Sequence, residues 1–368
     1  MLSAVSFFHM VMVAASIRYP DKDAVSGGGR GAHCGTQRGA MLEVTFCGAS
    51  LSSGEVQPSY LDKNGFRQKG REKPNQDSYA LECSGPVCVF SAFDGHGEGS
   101  EEVSRNAAIN ISDLLEDKAE IMKSQLLEDT VEQIIEHIAS QFRTDRFLYR
   151  GCTATGLFLN LDTAEIISFN VGDGRTLVWG KNDRLILETR DHDSSDQAHK
   201  DRVKQIGKPG ESVTHDGEVE RTSISWGEKY FYNLMPARTF GDSCLKVGDD
   251  PDNFIVMDKP DLVKQRLDGA PDDIYMFLAG SDGMYDSLYI CHDYYFTSSC
   301  HYAHDKDTVN AGLLKNLKTS WKGNDLGEAV FLSVMKGSDS RWGDPKYRRP
   351  DDTTAIAGVI KVVTASAV

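Results

Sequence analysis

The chain has 368 residues, 40% of them hydrophobic and 26% charged, which is the composition of a folded globular protein and excludes a disordered one. A formal charge of −15, from 40 basic against 55 acidic side chains, argues against general affinity for nucleic acid or anionic membrane. The length allows one large domain or two ordinary ones.

Leu2–Ile17 is a largely apolar run containing His9. It is too short for a comfortable transmembrane helix, and no basic residue precedes it as a signal peptide would require. With Leu2 where glycine would be needed, myristoylation is not expected on the sequence as given. The run still leaves room for a targeting or membrane role, but not for stable insertion. Ser26–Gly39 is rich in glycine and arginine and reads as a flexible linker. Residues 1–40 are therefore expected to be a disordered leader, 41–364 one catalytic-size domain, and 365–368 a tail. The eight cysteines form no Cys-x-x-Cys pair, so a structural zinc site is not expected. Cys88 and Cys152 lie in apolar runs and read as reduced, buried thiols, pointing to cytoplasm or nucleus.

From Leu42 the pattern becomes regular. Leu42–Cys47, Gln76–Glu82 and Val87–Phe93 read as hairpin-linked antiparallel strands. Val103, Ala107, Ile111 and Leu114 share one helical face, and Leu127, Val131, Ile134, Ile138 and Phe142 another. Strands return at Thr153–Leu161, Glu165–Asn170 and Thr176–Gly180. Asp191–Gly227 is polar and reads as an irregular, mobile excursion. A strand over Ile274–Gly280 runs into Ser281–Asp286, Tyr289–His304 is aromatic and irregular, Leu326–Lys336 is helical, and Asp351–Ile360 is an acidic turn feeding a final strand. Strands, two helices and more strands predict an α+β domain on antiparallel sheets, with no internal repeat.

Three apolar runs end in an acidic residue beside glycine: Phe93-Asp94-Gly95-His96-Gly97, Val171-Gly172-Asp173-Gly174 and Gly280-Ser281-Asp282-Gly283. A carboxylate following a buried strand is costly without compensation, and a hard cation is the usual compensation. Asp94, Asp173, Asp282, Asp286 and Asp351 all adjoin a strand end or turn. Oxygen-only ligation without cysteine selects Mg2+ or Mn2+. Two such ions polarise a phosphoryl oxygen and supply hydroxide at neutral pH. His96, two residues past Asp94, suits protonation of a leaving alkoxide. Taken singly, each Asp-Gly pair could be a backbone turn and no more.

Together these residues resemble the metal-dependent protein serine/threonine phosphatases of type 2C, the PPM family. The resemblance rests on Lys73-Pro74-Asn75-Gln76-Asp77, Asp94-Gly95-His96-Gly97, Gly151-Cys152-Thr153-Ala154, Gly172-Asp173-Gly174-Arg175, Arg238-Thr239-Phe240-Gly241-Asp242, Ser281-Asp282-Gly283-Met284-Tyr285-Asp286 and Asp351-Asp352-Thr353-Thr354, in that order. It covers roughly residues 42–362. It implies a four-layer αββα fold, a central sandwich of two antiparallel sheets flanked by helices, with a binuclear Mn2+/Mg2+ centre at one end. Asp94 would bridge the ions, the Gly95 carbonyl would bind one, and Asp282 and Asp351 would complete the other. Asp77 would orient metal-bound water; Asp173 and Asp286, with Asp282, would match a weaker third site; His96 would be the general acid. Hydrolysis would be direct attack by metal-bound hydroxide on phosphoserine or phosphothreonine, without a phosphoenzyme.

Two departures stand out. The family's phosphate-binding arginine falls here at Glu72, which leaves Lys73 or Arg71 to bind phosphate, with Lys73 favoured. Gln76 replaces the commoner glutamate. Arg175 and Arg238 read as structural ion-pair partners. The partners implied are phosphoproteins, met by a monomer. Thiol-based, Gly-Asn-His-Glu and P-loop chemistries have no motif here. The alternative from another class is a catalytically silent scaffold of the same fold.

Overall fold

The structure, a computed structural model, describes residues 32–52, 74–206, 211–216, 219–225, 231–246, 250–251, 254–286, 306–322, 326, 330 and 352–363. One sheet runs, edge to edge, β1 (His33–Arg38), β2 (Leu42–Leu51), β15 (Thr353–Val362), β14 (Ile274–Gly280), β7 (Arg175–Trp179) and β8 (Leu185–Glu188). The second runs β13 (Asp261–Arg266), β6 (Glu165–Val171), β5 (Gly151–Asn160), β4 (Val87–His96) and β3 (Ser78–Ser84), with the short β12 (Phe240–Gly241) joined to β5. Every pairing in both sheets is antiparallel.

The strands read as near-continuous apolar runs because both of their faces are covered. Along β4, Val87, Val89 and Phe93 face the helices α1 (Glu101–Met122) and α2 (Glu128–Gln141), in a cluster with Ile111, Leu115, Ile134 and Ile138. The alternate residues Cys88, Phe90 and Ala92 face the other sheet, among Val44, Phe46, Leu157, Phe277 and Ile356. The outer face of the first sheet, through Leu177, Met276, Leu278 and Val359, packs on Met284 of α4 (Asp282–Asp286) and on Leu313, Leu314 and Leu317 of α5 (Lys306–Lys322). The result is the expected α+β, four-layer αββα sandwich. Phe90 lies at its centre, 4.9 Å from the Phe46 ring and 5.0 Å from that of Phe277. Burial of such a ring contributes about 1.5–3 kcal/mol.

The elements depart from the sequence reading in four places. Residues 33–38, expected in a disordered leader, form β1 and pair along their whole length with β2. Strand β4 does not stop at Phe93: Asp94, Gly95 and His96 continue the ladder opposite Thr153, Cys152 and Gly151. The 191–227 excursion contains α3 (Gln197–Ile206) and, with β11 (Phe231–Leu234), a three-stranded antiparallel sheet of β9 (Glu211–Asp216), β10 (Val219–Ser225) and β11. Val203, Leu234, Leu245 and Val256 give that flap a small core of its own. Cys88 is not a free thiol but is bonded to Cys83, and Cys34 is bonded to Cys47. Both pairs sit directly opposite each other on neighbouring strands, a juxtaposition set by register that cysteine spacing does not reveal. Cys152 is free and buried, as expected. With two disulfides, cysteine chemistry no longer argues for a reducing compartment. Of the 326–336 helix, Leu326 and Val330 are described and both are helical; the 289–304 segment lies outside the described residues. Among the described residues no helix is long and apolar enough to cross a membrane.

Candidate functional site

The antiparallel order brings one set of strand ends together. The end of β4, the starts of β5 and β7, the ends of β6 and β14, and the start of β15 all lie at the same end of the sandwich, as the pairings His96 with Gly151, Ala154 with Val171, and Gly280 with Arg175 and Ala355 require. Asp94, Asp173 and Asp282 belong to this end. Asp77 reaches it from the approach to β3, since Ser78 pairs with Phe93.

Hydrogen bonds tie the segments across long stretches of chain. The Gln76 backbone N–H donates to Asp352 Oδ2 at 2.9 Å. Asn75 Nδ2 donates to Ser50 Oγ at 2.8 Å, and Thr354 Oγ1 to the same oxygen at 2.7 Å. The Thr354 N–H donates to Ser281 Oγ at 2.9 Å, and the Ser281 N–H returns a bond to the Thr354 carbonyl at 3.1 Å. Asp282 is thus fixed beside the start of β15. Its Oδ1 is buried with no hydrogen-bond partner, a costly state for a carboxylate oxygen unless a cation meets it.

Glycine is required at two points. A Cβ on Gly95 would stand 2.4 Å from the Gln76 carbonyl, so only glycine lets β4 approach the 74–77 segment this closely. Gly172 has φ +126°, where a side chain is strained, and a Cβ there would stand 2.5 Å from Thr153. His192 holds the Gly172 peptide from both sides: its N–H donates to the Gly172 carbonyl at 2.7 Å, and its Nδ1 accepts the Gly172 N–H at 3.3 Å. The next residue is Asp173. Nε2–H of His192 then donates to Asp261 Oδ2 at 2.8 Å. Burial pushes the His192 imidazole below its ordinary pKa despite that carboxylate, in keeping with a neutral ring that accepts at Nδ1.

Gln76 occupies the position of the commoner glutamate and uses chemistry that a carboxylate lacks. Its Nε2 donates at 2.6 Å to the Gly97 carbonyl and at 2.6 Å to Ser100 Oγ. Arg175 and Arg238 are structural ion-pair partners, as expected. Arg175 forks onto Asp191 and lies 4.8 Å from the Tyr285 ring; Arg238 Nη1 donates to Asp261 Oδ1 at 2.7 Å.

His96 lies 2.8 Å through Nε2 from Oδ2 of Asp242, a fully buried residue in the left-handed conformation at φ 47°. Sequence reasoning quoted Asp242 within a motif but gave it no role. No local signal could have assigned one, because the two residues are 146 positions apart and meet only where β12 pairs with β5.

Among the described residues no group of three or more histidine, cysteine or acidic side chains could by itself hold a metal ion. Of the expected ligands, Asp351 lies outside the described residues, as do the side chain of Asp286 and the candidate phosphate-binding residues Lys73 and Arg71. The donors that are described, Asp94, Asp173, Asp282 and the Gly95 carbonyl, are all oxygen, and Asp282 Oδ1 is buried and unbonded. That donor chemistry fits Mn2+ or Mg2+.

The protein phosphatase 2C family model matches residues 63–290, more than half of the chain. A yeast protein, protein phosphatase 2C homolog 2 of Saccharomyces cerevisiae, is 25% identical over 208 residues, which is 55% of this chain and 40% of the yeast protein. Among solved structures, a phosphatase from a pathogenic strain of Toxoplasma gondii superposes with a TM-score of 0.62 at 14% identity, over 91% of this chain and 96% of that one. A Caenorhabditis elegans sex-determining protein superposes with a TM-score of 0.56 at 18% identity, over 85% of this chain and 64% of that one. Both structural likenesses are of fold. The chain thus spans less than two thirds of the yeast and nematode proteins. With more than half its length matched by the family model, this chain belongs to the protein phosphatase 2C family.

Proposed function

We propose that the chain is a protein serine/threonine phosphatase that hydrolyses phosphoserine and phosphothreonine monoesters with two bound Mn2+ or Mg2+ ions. The observation that carries this reading is the gathering of acidic strand ends at one end of the sandwich, with Asp282 Oδ1 buried and unbonded, in a chain of this family. In this reading Asp94, the Gly95 carbonyl, Asp282 and Asp351 would hold the ions, and Asp173 and Asp286 would join Asp282 at a weaker third position. When bound, the ions would polarise the phosphoryl group and activate water.

The remaining work falls to side chains. Asp77, 3% exposed, orients attacking water; Lys73, or Arg71 beside it, holds the phosphate; His96 gives a proton to the leaving serine or threonine oxygen. The substrates are phosphoproteins, met by a monomer, and the catalytic unit comprises residues 41–364 together with β1 (His33–Arg38), which completes the edge of its first sheet. A silent scaffold of the same fold is not favoured, because Asp94, Asp282 and Asp351 are all retained.

The test is hydrolysis of a phosphoserine peptide with and without Mn2+. Turnover should depend on Mn2+ and be lost in Asp94→Ala. Absence of turnover in the purified chain, with Mn2+ affinity unchanged in Asp94→Ala, would refute the reading.

A further inference from the structure

We infer that Asp242 is the positioning residue of the reaction: it fixes the tautomer and orientation of His96, so that Nδ1 is the nitrogen left to face the leaving group. The inference rests on the reading of His96 as the proton donor and extends it. Its ground is the geometry around one buried carboxylate.

Asp242 is 0% exposed, and four polar groups converge on it or on its loop. His96 Nε2 lies 2.8 Å from Oδ2, and Thr239 Oγ1 donates to the same oxygen at 2.5 Å. The Tyr232 hydroxyl, from flap strand β11, donates to Oδ1. The buried Lys246 ammonium donates to the Gly241 carbonyl at 2.5 Å and to Thr239 Oγ1 at 3.3 Å. The Asp242 backbone N–H is tied to the Arg150 carbonyl at 3.0 Å. Burial alone would raise the carboxyl, but His96 and then Lys246 and Thr239 outweigh it and hold Asp242 below the usual carboxylate range.

An ionised carboxylate can only accept. Nε2 of His96 must therefore carry a proton toward Asp242 in either charge state of the ring, and proton exchange with substrate is left to Nδ1. As the phosphorus–oxygen bond of the ester breaks, its electron pair stays on the serine oxygen. That oxygen takes the Nδ1 proton, and His96 is left neutral with Nε2–H still on Asp242. Water supplies the oxygen added to phosphorus, and solvent returns the proton to Nδ1. A carboxylate fixed from three sides costs no reorganisation during this step. Because Tyr232 belongs to the flap, the flap and the histidine share one hydrogen-bonded unit.

The experiment compares two substrates on the Mn2+-loaded enzyme. A phosphoserine peptide has an alkoxide leaving group that needs a proton, whereas p-nitrophenyl phosphate has a phenolate that does not. Asp242→Asn should lower kcat on the peptide roughly 10²-fold and leave p-nitrophenyl phosphate within about threefold. His96→Ala should give the same split, and the double variant no further loss. In the metal-free protein, ring-15N spectra should give the proton on Nε2 of His96 in the wild type, with loss of that single-tautomer signature in Asp242→Asn. Should Asp242→Asn fail to fold because Lys246 is left as an unpaired buried charge, Asp242→Asn/Lys246→Met removes both charges and is judged by the same criteria.

Equal losses on both substrates, or an unchanged His96 tautomer, would overturn the positioning role. A His96→Ala variant without the leaving-group split would overturn the reading of His96 itself. A split in His96→Ala with none in Asp242→Asn would overturn this inference alone.

Discussion

The backbone N–H of Gln76 is held by the carboxylate of Asp352 at 2.9 Å across 276 residues of sequence, so the approach to β3 and the start of β15 form one structural unit. Asp352 is 1% exposed. Replacing it by alanine leaves a buried N–H without an acceptor, at a cost of about 1–3 kcal/mol. Asp352→Asn keeps a carbonyl acceptor and should cost less. Urea unfolding in chelator, where metal binding contributes nothing, should rank wild type, Asp352→Asn and Asp352→Ala in that order of falling stability.

Gln76 yields a prediction of opposite character, because restoring the commoner residue should do harm. Glutamate at 76 cannot donate to the Gly97 carbonyl, now bonded at 2.6 Å, and sets two acceptors against each other. Gln76→Glu should lose about 1–3 kcal/mol in chelator at pH 7. The loss should shrink near pH 4, where the acid is protonated and can donate again. A loss independent of pH would refute this account.

The sandwich was legible in the sequence because Val87–Phe93, Thr153–Leu161 and Ile274–Gly280 are covered on both faces and leave long apolar runs. The acidic strand ends were legible for the same reason, as breaks in those runs. The flap was not: Glu211–Asp216 and Val219–Ser225 are polar, and pairing with each other and with β11, more than apolar periodicity, makes them strands. Cys83 and Cys88 are five positions apart, and only the register of β3 against β4 sets them side by side. Asp242 was hidden by distance, since its role comes from His96, which a different strand delivers.

Removal of metal should be visible without any assay of turnover. If the acidic strand ends bind Mn2+, the ion stabilises the fold by RT ln(1 + [L]/Kd), about 2.7 kcal/mol at a hundredfold excess over Kd. Mn2+ should therefore raise the melting temperature of the wild type, and chelator should reverse it. Asp282→Asn should largely abolish the rise while leaving the metal-free protein as stable or more so, because a buried, unbonded carboxylate oxygen has been replaced by a neutral one. An undiminished Mn2+ effect in Asp282→Asn would remove that residue from the ligand set.

The phosphate-binding role is tested by the two basic residues that flank Glu72. Lys73→Ala should raise KM for a phosphopeptide more than Arg71→Ala, with kcat less affected, because the lost contact serves ground state and transition state alike. Equal and negligible effects from both would leave phosphate binding to other groups.

Acid should loosen the flap before the sandwich. His199 is 2% exposed, donates through Nε2 to Thr222 Oγ1 at 2.7 Å, and accepts at Nδ1 from Arg202 Nη2 at 2.7 Å. Burial first, and then the Arg202 charge, push its pKa from 6.5 down to about 4. A depressed imidazole keeps its full stabilising effect above pH 6.5 and loses it as pH falls toward 4, because the unfolded flap takes up the proton first. At pH 5 the loss is about 2 kcal/mol. Asp261, lowered to about 2 chiefly by its bond from His192, adds a further loss of the same sign only below about pH 4. Hydrogen exchange, corrected for its intrinsic pH dependence, should therefore show α3 and β9–β11 losing protection between pH 7 and pH 5 while β4, β5 and β14 keep theirs. His199→Gln, which retains a donor and an acceptor but cannot take up the proton, should abolish the pH dependence in the flap; if exchange there still rises with acid, His199 is not the group responsible.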